Sequence, residues 1–257
     1  MQVFRGIPER AEHGCVLTIG NFDGVHRGHQ ALLAKLAAKA QETGLPAVVL
    51  TFEPHPREYF THEARPKRLT SLREKIGLLE QHGADRLVIG RFNAGFAALS
   101  AEQFIRDVLV TGLGVQHLLI GDDFRFGAGR KGDFALLKEW GHKTCFTVEA
   151  MHTVDQEGER VSSSAVREAL AAGHMEMAAQ LLGRPYSLSG HVVHGRKLGR
   201  ELGATAPHRG DGFRTLNLRF SHWKPAAAGI FAVRVWGLGD KPLPGVANMG
   251  VRPSLDP

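Results

Sequence analysis

Cysteine and long apolar runs are what this sequence has least of. Cys15 and Cys145 are the only cysteines among 257 residues, and they have no paired spacing, which argues against a disulfide framework and a cysteine zinc site. We expect both to be buried as small hydrophobes. No run of about 18 uncharged apolar residues is present, and residues 1–12 carry charges where a signal peptide needs an apolar stretch. These absences predict a cytoplasmic protein without a membrane segment.

Positive charge is concentrated in the C-terminal part of the chain. The net charge is +6, and residues 183–257 hold 11 Lys and Arg against four Asp and Glu. Such a field attracts nucleic acid or a phosphorylated small molecule, and it is equally typical of a solvated surface. Aromatic side chains that stack on single-stranded nucleic acid are sparse there. We therefore predict small-molecule substrates and no nucleic-acid or membrane partner, while the oligomeric state is left open.

Apolar β-type runs alternate with helical patterns over residues 1–182. The run at 46–52 is apolar without alternation, as expected for a strand covered on both faces. The alternation predicts an α/β fold with a doubly wound, Rossmann-like parallel sheet, which gathers ligands at the carboxyl ends of its strands. The predicted strands are 16–19, 46–52, 86–89, 117–120 and 146–148, and the predicted helices are 29–40, 71–82, 100–110, 164–172 and 175–182.

The pattern changes after residue 182. Short β-type runs at 189–193, 215–220 and 230–236 are separated by turn residues, and the last alternates apolar residues against Arg234. This is typical of a small antiparallel barrel. We place a boundary near Gly183-Arg184-Pro185, which gives domains 1–182 and 183–257.

The loop from Gly20 to His29 is the strongest candidate for chemistry. His26 and His29 stand three positions apart at the start of a helix, so they project from the same side. Glycines in the loop let backbone N–H groups approach an anion, and a helix N-terminus favours negative charge. Adenylyl transfer requires donors for crowded phosphoryl oxygens rather than a covalent intermediate. The four residues His26 to His29 alone are a weak signal, but their position between strand and helix favours a triphosphate site. The candidate ATP-binding residues here are Gly20, Phe22, Asp23, Gly24, His26 and His29.

A serine-rich helix start at 161–167 supplies a second candidate half of this site. The hydroxyls and amides at Ser163 and Ser164, with Arg167 one turn further, suit the β- and γ-phosphates and the departing pyrophosphate. Alone, the pattern is equally a serine N-cap with a surface arginine. With the histidine motif, the catalytic candidates are His26, His29 and Arg167.

Together with three further segments, these motifs resemble the bacterial bifunctional riboflavin kinase/FAD synthetase family. The segments are Thr51-Phe52-Glu53-Pro54-His55-Pro56, Gly121-Asp122-Asp123-Phe124-Arg125-Phe126-Gly127 and Gly195-Arg196-Lys197-Leu198-Gly199-Arg200. They occur in the family's order and cover nearly the whole chain. The resemblance implies transfer of AMP from ATP to FMN, giving FAD and pyrophosphate with Mg²⁺, in a family that also phosphorylates riboflavin to FMN.

The resemblance also assigns roles to individual residues. It implies that His26 and His29 contact ATP phosphates and that Ser163, Ser164 and Arg167 form a second nucleotide motif. It places the flavin beside Asp123, Phe124 and Phe126, although by spacing the two phenylalanines are equally typical of a core. His55 has a structural reading as well, and Asp23 is assigned to loop architecture or to a magnesium-bound water.

The C-terminal part departs from the family's kinase motif. Lys197, Thr215 and Asn217 match its ATP and metal positions, but Arg214 and Leu216 replace the proline and alanine of that motif. The family's remaining strands and catalytic glutamate would lie beyond Pro257. The expectation is therefore an incomplete barrel with little or no riboflavin kinase activity.

Two alternatives stay open on the sequence. The first keeps the mechanism and changes the acceptor to another phosphate-bearing metabolite, such as a pantetheine or nicotinamide mononucleotide. The second is a basic nucleic-acid-binding protein.

Overall fold

The computed structural model describes residues 1–61, 66–151, 155–156, 159–194, 216–220 and 225–250. The chain divides into two compact units, Met1–Tyr186 and Ser187–Pro257. Within the described ranges, no helix combines the length and apolar character needed to span a membrane.

The first unit is built on six parallel strands in the order β1-β4-β3-β2-β5-β6. The doubly wound α/β fold predicted from the alternation is confirmed. Strand β1 was not predicted, because its four residues are all exposed and show no apolar pattern. The strands are β1 (Gln2–Arg5), β2 (Cys15–Ile19), β3 (Ala47–Glu53), β4 (Arg86–Arg91), β5 (Val115–Gly121) and β6 (Thr147–Met151).

Helices cover both faces of this sheet. They are α1 (Arg27–Thr43), α2 (Pro56–Phe60), α3 (Leu72–Gln81), α4 (Ala94–Ala97), α5 (Ala101–Gln103), which continues as a π-helix (Phe104–Gly112), α6 (Phe134–Thr144), α7 (Ser163–Ala171) and α8 (Met175–Leu182). A short 3₁₀ turn (Ala128–Arg130) and a two-stranded ribbon of β7 (Asp155–Gln156) and β8 (Glu159–Arg160) complete the unit. The predicted capping box of Ser100 and Gln103 is present, and the π-helical turns after it had no signal in the sequence.

The core lies on both faces of the central strand β2, whose five residues are all buried. Each large apolar side chain buried in this way contributes about 1.5–3 kcal/mol. One cluster under α1 and α3 includes Val16, Phe22, Val25, Leu33, Leu36, Val49 and Leu79. The opposite cluster includes Leu17, Leu50, Ile105, Leu109, Leu118 and Leu137.

The two cysteines differ. Cys15 is buried as predicted, its thiol donates to the Leu113 carbonyl at 3.1 Å, and burial raises the pKa of the thiol to about 12. The prediction that Cys145 is buried is wrong, since its side chain is exposed. Cys145 ends α6 with a left-handed backbone (φ 60°), and this turn directs the residue away from the core.

The described part of the second unit consists of antiparallel strand pairs. Strand β9 (His191–Val193) pairs with β10 (Asn217–Arg219), and β11 (Gly229–Val235) pairs with β12 (Leu243–Met249). The predicted alternation in β11 is confirmed: Phe231, Val233 and Val235 are half-buried and Arg234 is exposed. Asn217 begins β10, whereas Lys197 and Thr215 lie outside the described residues.

Candidate active site

The predicted motifs of the first unit meet at one edge of its sheet. The histidine loop follows β2, the segment at 51–56 ends β3, and the segment at 121–127 follows β5. Chain connections reverse direction across the sheet between β2 and β5, which are neighbours. Parallel sheets bind ligands in the crevice that forms at such a switch point.

The loop between β2 and α1 has an unusual backbone. Phe22 and Val25 have positive φ angles of 47° and 40°, which side chains with a Cβ rarely adopt. Gly24 has a φ of 84°, and a Cβ there would come within 2.8 Å of the Leu69 side chain. The Gly24 N–H donates to the Thr70 hydroxyl at 3.1 Å. The loop is therefore held in a conformation that its own residues disfavour.

Asp23 joins the loop to two other segments. Its buried carboxylate accepts hydrogen bonds from the backbone N–H groups of Leu69 (2.9 Å) and Thr70 (3.2 Å) and forms an ion pair with Arg167. Its carbonyl accepts from the Ser163 hydroxyl at 2.9 Å. Asp23 thus connects the histidine loop with the serine-rich helix start, so the two predicted halves of the site are adjacent in the fold.

The two histidines are stacked at the start of α1. Their ring centroids are 3.7 Å apart with an interplanar angle of 18°. His26 is the N-cap of the helix, and its Nδ1 accepts from the His29 backbone N–H at 3.4 Å. Burial lowers the pKa of His26 to about 4. The ring is neutral at pH 7, and because Nδ1 is the acceptor, the proton resides on Nε2.

His29 lies between His26 and Phe22, whose ring centroid is 4.9 Å away. Burial lowers the pKa of His29 well below its ordinary value. The positive charge of Lys75, and that of His26 when it is protonated, act in the same direction. Its Nδ1 has no hydrogen-bond partner among the described residues. His29 is therefore neutral and retains an unused ring nitrogen.

The helix start of α7 differs in detail from the prediction. Ser162, not Ser163 or Ser164, is the N-cap, and its hydroxyl accepts from the Ala165 N–H at 3.1 Å. Ser164 is exposed. Arg167 donates through Nε to the Lys67 carbonyl at 2.7 Å and through Nη2 to Asp23. Arg167 therefore links α7 to the backbone at Lys67 and to Asp23 of the histidine loop.

Arg184 and Gln30 are site residues that sequence reasoning missed. Arg184 donates to the carbonyls of Gly24 (2.7 Å) and Val25 (3.3 Å), and Gln30 donates to Val25 (2.9 Å) and Leu182 (2.8 Å). They tie the loop to the end of α8. A single arginine or glutamine outside a motif gives no signal in the sequence.

Residues 66–70 are called the strap below. Leu69 and Thr70 bind the strap to Asp23, and Arg68 binds it to two further carboxylates. The Arg68 guanidinium bonds the carboxylates of both Glu53 and Glu58. Burial raises the pKa of Glu58, but the hydrogen bond and charge of Arg68 outweigh it and the net shift is downward. His55 completes a capping box with Glu58 at the start of α2, which supports the structural reading of this histidine.

The predicted flavin segment contributes one accessible ring. Phe124 is half-buried and stacks on Phe126 with centroids 5.6 Å apart and an angle of 20°. Phe126 belongs to the core and packs against Phe104, so it supports the Phe124 ring from behind. Asp123 is exposed. A second group of contacting rings continues along the same edge: Phe52, Tyr59, Phe60, Phe92 and Phe96.

Comparisons with known proteins identify the family. The FAD synthetase family matches residues 8–165, and the riboflavin kinase family matches residues 182–257. The bifunctional riboflavin kinase/FMN adenylyltransferase of Escherichia coli K12 is 48% identical over 99% of this chain and 80% of the relative. The chain belongs to the bifunctional riboflavin kinase/FMN adenylyltransferase family.

Another member of the family and one solved structure are also similar to this chain. The family member from Pseudomonas fluorescens is 48% identical over 99% of this chain and 79% of its own length. The crystal structure of a macrolide-efflux protein from Streptococcus pneumoniae superposes with a TM-score of 0.78 at 24% identity, covering 97% of this chain and 79% of that protein. At that identity the likeness concerns the fold alone.

The Mg²⁺ expected with ATP raises the question of which side chains could hold a metal ion. Among the described residues, no group of three or more His, Cys, Asp or Glu side chains is placed to hold a metal ion. The buried carboxylate of Asp23 is occupied by two amides and Arg167. Among the described residues, Asp23 therefore offers no free carboxylate to a metal ion.

Proposed function

We propose that this chain makes FAD by transferring AMP from ATP to FMN, with release of pyrophosphate. The observation that carries the proposal is the junction at Asp23, which brings the stacked histidines of α1 and the amino end of α7 to one edge of the sheet. Two helix starts that face one crevice form a site for a polyanion.

The ATP phosphates are assigned to these two helix starts. The backbone N–H groups at the start of α1, including that of Gly28, and those of Ser163 and Ser164 are assigned as the donors for phosphate oxygens. A Cβ at Gly28 would lie 3.2 Å from the His26 ring and 3.5 Å from the Val161 carbonyl. A larger residue there would therefore need the His26 ring to move by a few tenths of an ångström, whereas the Val161 carbonyl would lie at an ordinary contact distance.

The reaction is an in-line displacement at the α-phosphorus. A phosphate oxygen of FMN forms the new P–O bond, and the bond between the α-phosphorus and the bridging oxygen to the β-phosphate breaks. Pyrophosphate carries away the electron pair, and no general base is needed because the FMN phosphate is already ionised at pH 7. The enzyme supplies position and hydrogen-bond donors.

His26 and His29 act as neutral donors to the crowded oxygens at the α-phosphorus. The His26 Nε2–H is defined by the hydrogen bond at Nδ1, and the ring of His29, stacked on that of His26, is the second candidate donor. The described residues include no carboxylate cluster for a metal ion, so Mg²⁺ would enter bound to the triphosphate and would supply charge neutralisation for the leaving pyrophosphate.

The flavin ring is assigned to the aromatic edge beyond β5. Phe124 presents a half-buried face supported by Phe126, and an isoalloxazine ring stacks on such a surface. Asp123 is exposed in the same turn and is assigned to accept a hydrogen bond from the polar edge of the flavin.

We assign the adenylyltransferase to residues 1–182 and the riboflavin kinase module to residues 183–257. The support is the family match to residues 182–257 and the antiparallel strand pairs there. Asn217 of β10 is the candidate kinase ligand within the described residues, and Thr215 and Lys197 are candidates outside them.

The test is an acceptor panel. Purified chain is incubated with Mg-ATP and either FMN, a phosphopantetheine or nicotinamide mononucleotide, and pyrophosphate and the dinucleotide are quantified. We expect equimolar FAD and pyrophosphate with FMN and neither product with the other acceptors. Pyrophosphate release with another acceptor but not with FMN would move the chain to a different adenylyltransferase activity.

A further inference from the structure

Lys75 occupies a place where a cation is unexpected. It lies in the first turn of α3 on the side that faces the core, four residues before the fully buried Leu79. Its side chain is 4% exposed. A positive charge near a helix N-terminus opposes the helix dipole, and burying most of the side chain removes part of the hydration of its ammonium. Neither effect favours lysine here for stability.

The ammonium of Lys75 has no partner of its own. Among the described residues its side chain enters no hydrogen bond or ion pair, and Nζ is not one of the fully buried polar atoms that lack a partner, so the nitrogen itself keeps some contact with solvent. Its nearest acidic neighbours are Asp23, Glu53 and Glu58. Arg167 binds the first of these carboxylates, and Arg68 binds the other two. The acids around Lys75 are therefore already paired with other cations.

Lys75 nevertheless belongs to the neighbourhood of the candidate site. The strap that precedes α3 is bound to Asp23 through Leu69 and Thr70. The charge of Lys75 acts on His29 and on His55, so the ammonium is close to the rings at the start of α1 and α2. Burial lowers the pKa of Lys75, and Asp23 and Glu53 offset that effect only in part. A bound anion would reverse the shift.

We propose that Lys75 is a phosphate-binding residue of this site, whose ammonium pairs with a substrate phosphate. The inference rests on the proposed function for the identity of the phosphate, which comes either from the triphosphate of ATP or from FMN. The described residues leave this cation without a free counter-charge, because its acidic neighbours are bound to Arg167 and Arg68, and substrate binding supplies one. Lysine suits this role because its ammonium is a compact charge that does not require bidentate geometry.

The test compares Lys75→Met with Lys138→Met, which removes an exposed lysine on α6. For each variant and the wild type, the thermal midpoint is measured without ligand, and the affinities for inorganic pyrophosphate and for FMN are measured by titration. We expect Lys75→Met to weaken binding of pyrophosphate, or of FMN, on the order of tenfold. Its midpoint without ligand should be unchanged or raised, because an unpaired buried charge has been removed. Lys138→Met should change none of these values.

The pattern of loss identifies the phosphate. Loss for pyrophosphate alone assigns Lys75 to the triphosphate, and loss for FMN alone assigns it to the acceptor. Affinities for both ligands within about twofold of wild type would overturn the inference. So would a lowered midpoint accompanied by lost affinity, since that result describes a structural lysine.

A parallel assay of FAD formation by the wild type separates this inference from the proposed function. If the wild type makes FAD but Lys75→Met binds both phosphates normally, only the role of Lys75 fails. If the wild type makes no FAD yet Lys75→Met loses pyrophosphate affinity, the acceptor assignment fails and the role of Lys75 stands.

Discussion

At the scale of single residues, the proposed catalysis depends on side chains that donate hydrogen bonds while they are neutral. His26 and His29 are stacked, the first buried and the second half-buried, and both are neutral at pH 7. Neutral rings donate hydrogen bonds without the cost of burying a charge. Their sequence pattern was sufficient to predict their proximity, but not the neutral state, which depends on burial by the surrounding fold.

We expect His29→Ala to lower the adenylylation rate on the order of a hundredfold while FMN affinity changes little. The reason is that donors to the crowded phosphoryl oxygens matter most in the transition state. Steady-state rates and FMN titration check this, with exposed His13→Ala as the matched control. Equal losses in rate and in FMN affinity would contradict the role.

The buried histidines also make stability depend on pH. Burial lowers the pKa of both His26 and His55 to about 4, whereas in the unfolded chain they titrate at about 6.5. The unfolded state therefore binds more protons between these values, and the free energy of unfolding falls as pH drops from about 6.5 to 4. Above pH 6.5 the contribution is fully present.

His55→Asn isolates this effect, because the Asn oxygen can replace Nδ1 as the cap acceptor. Urea unfolding at several pH values should show a shallower loss of stability in the variant, by on the order of 2 kcal/mol between pH 6.5 and 4. Identical pH profiles for the variant and the wild type would show that His55 is not the titrating group.

Gly24→Ala tests the backbone of the histidine loop. The residue has a φ of 84°, and a Cβ would approach Leu69 to 2.8 Å. We expect a loss of about 1–3 kcal/mol in unfolding free energy and weaker ATP binding. The control is Gly44→Ala, at φ 67° with open space around it, which should lose stability without losing ATP affinity. A similar ATP loss in both variants would argue against a specific role for the loop.

At the scale of elements, hydrogen bonds from distant segments position the loop. Arg184 fixes the carbonyls of Gly24 and Val25, and Asp23 fixes the strap and α7. Most of the strands and helices could be predicted from the sequence, because apolar periodicity and capping boxes such as the one at Ser71 mark them. These long-range links could not be predicted, because they join residues more than 40 positions apart through backbone groups that carry no sequence signal.

Arg184→Ala should raise the KM for ATP and lower kcat, because the strained loop loses its link to the end of α8. The stability loss should be about 1–3 kcal/mol. Arg184→Lys, which keeps the charge but not the fork of donors, should recover the activity only in part. Exposed Arg73→Ala is the control. Unchanged kinetics in Arg184→Ala would remove the residue from the site.

At the scale of the whole molecule, two family matches cover the chain in succession. The prediction of little or no riboflavin kinase activity stays a prediction, for which Arg214 and Leu216 in the kinase motif are one ground. Incubation with riboflavin and Mg-ATP, followed by separation of the flavins, checks it. FMN formation at a rate comparable to FAD formation from FMN would contradict it.

The central claim is that the chain transfers the adenylyl group of ATP to FMN. It is tested most directly with ATP labelled at the α-phosphorus, in parallel with ATP labelled at the γ-phosphorus. We predict that the α-label appears in FAD and the γ-label appears in pyrophosphate. A γ-label transferred to the flavin, or no label in any flavin while FMN and Mg-ATP are present, would contradict the account.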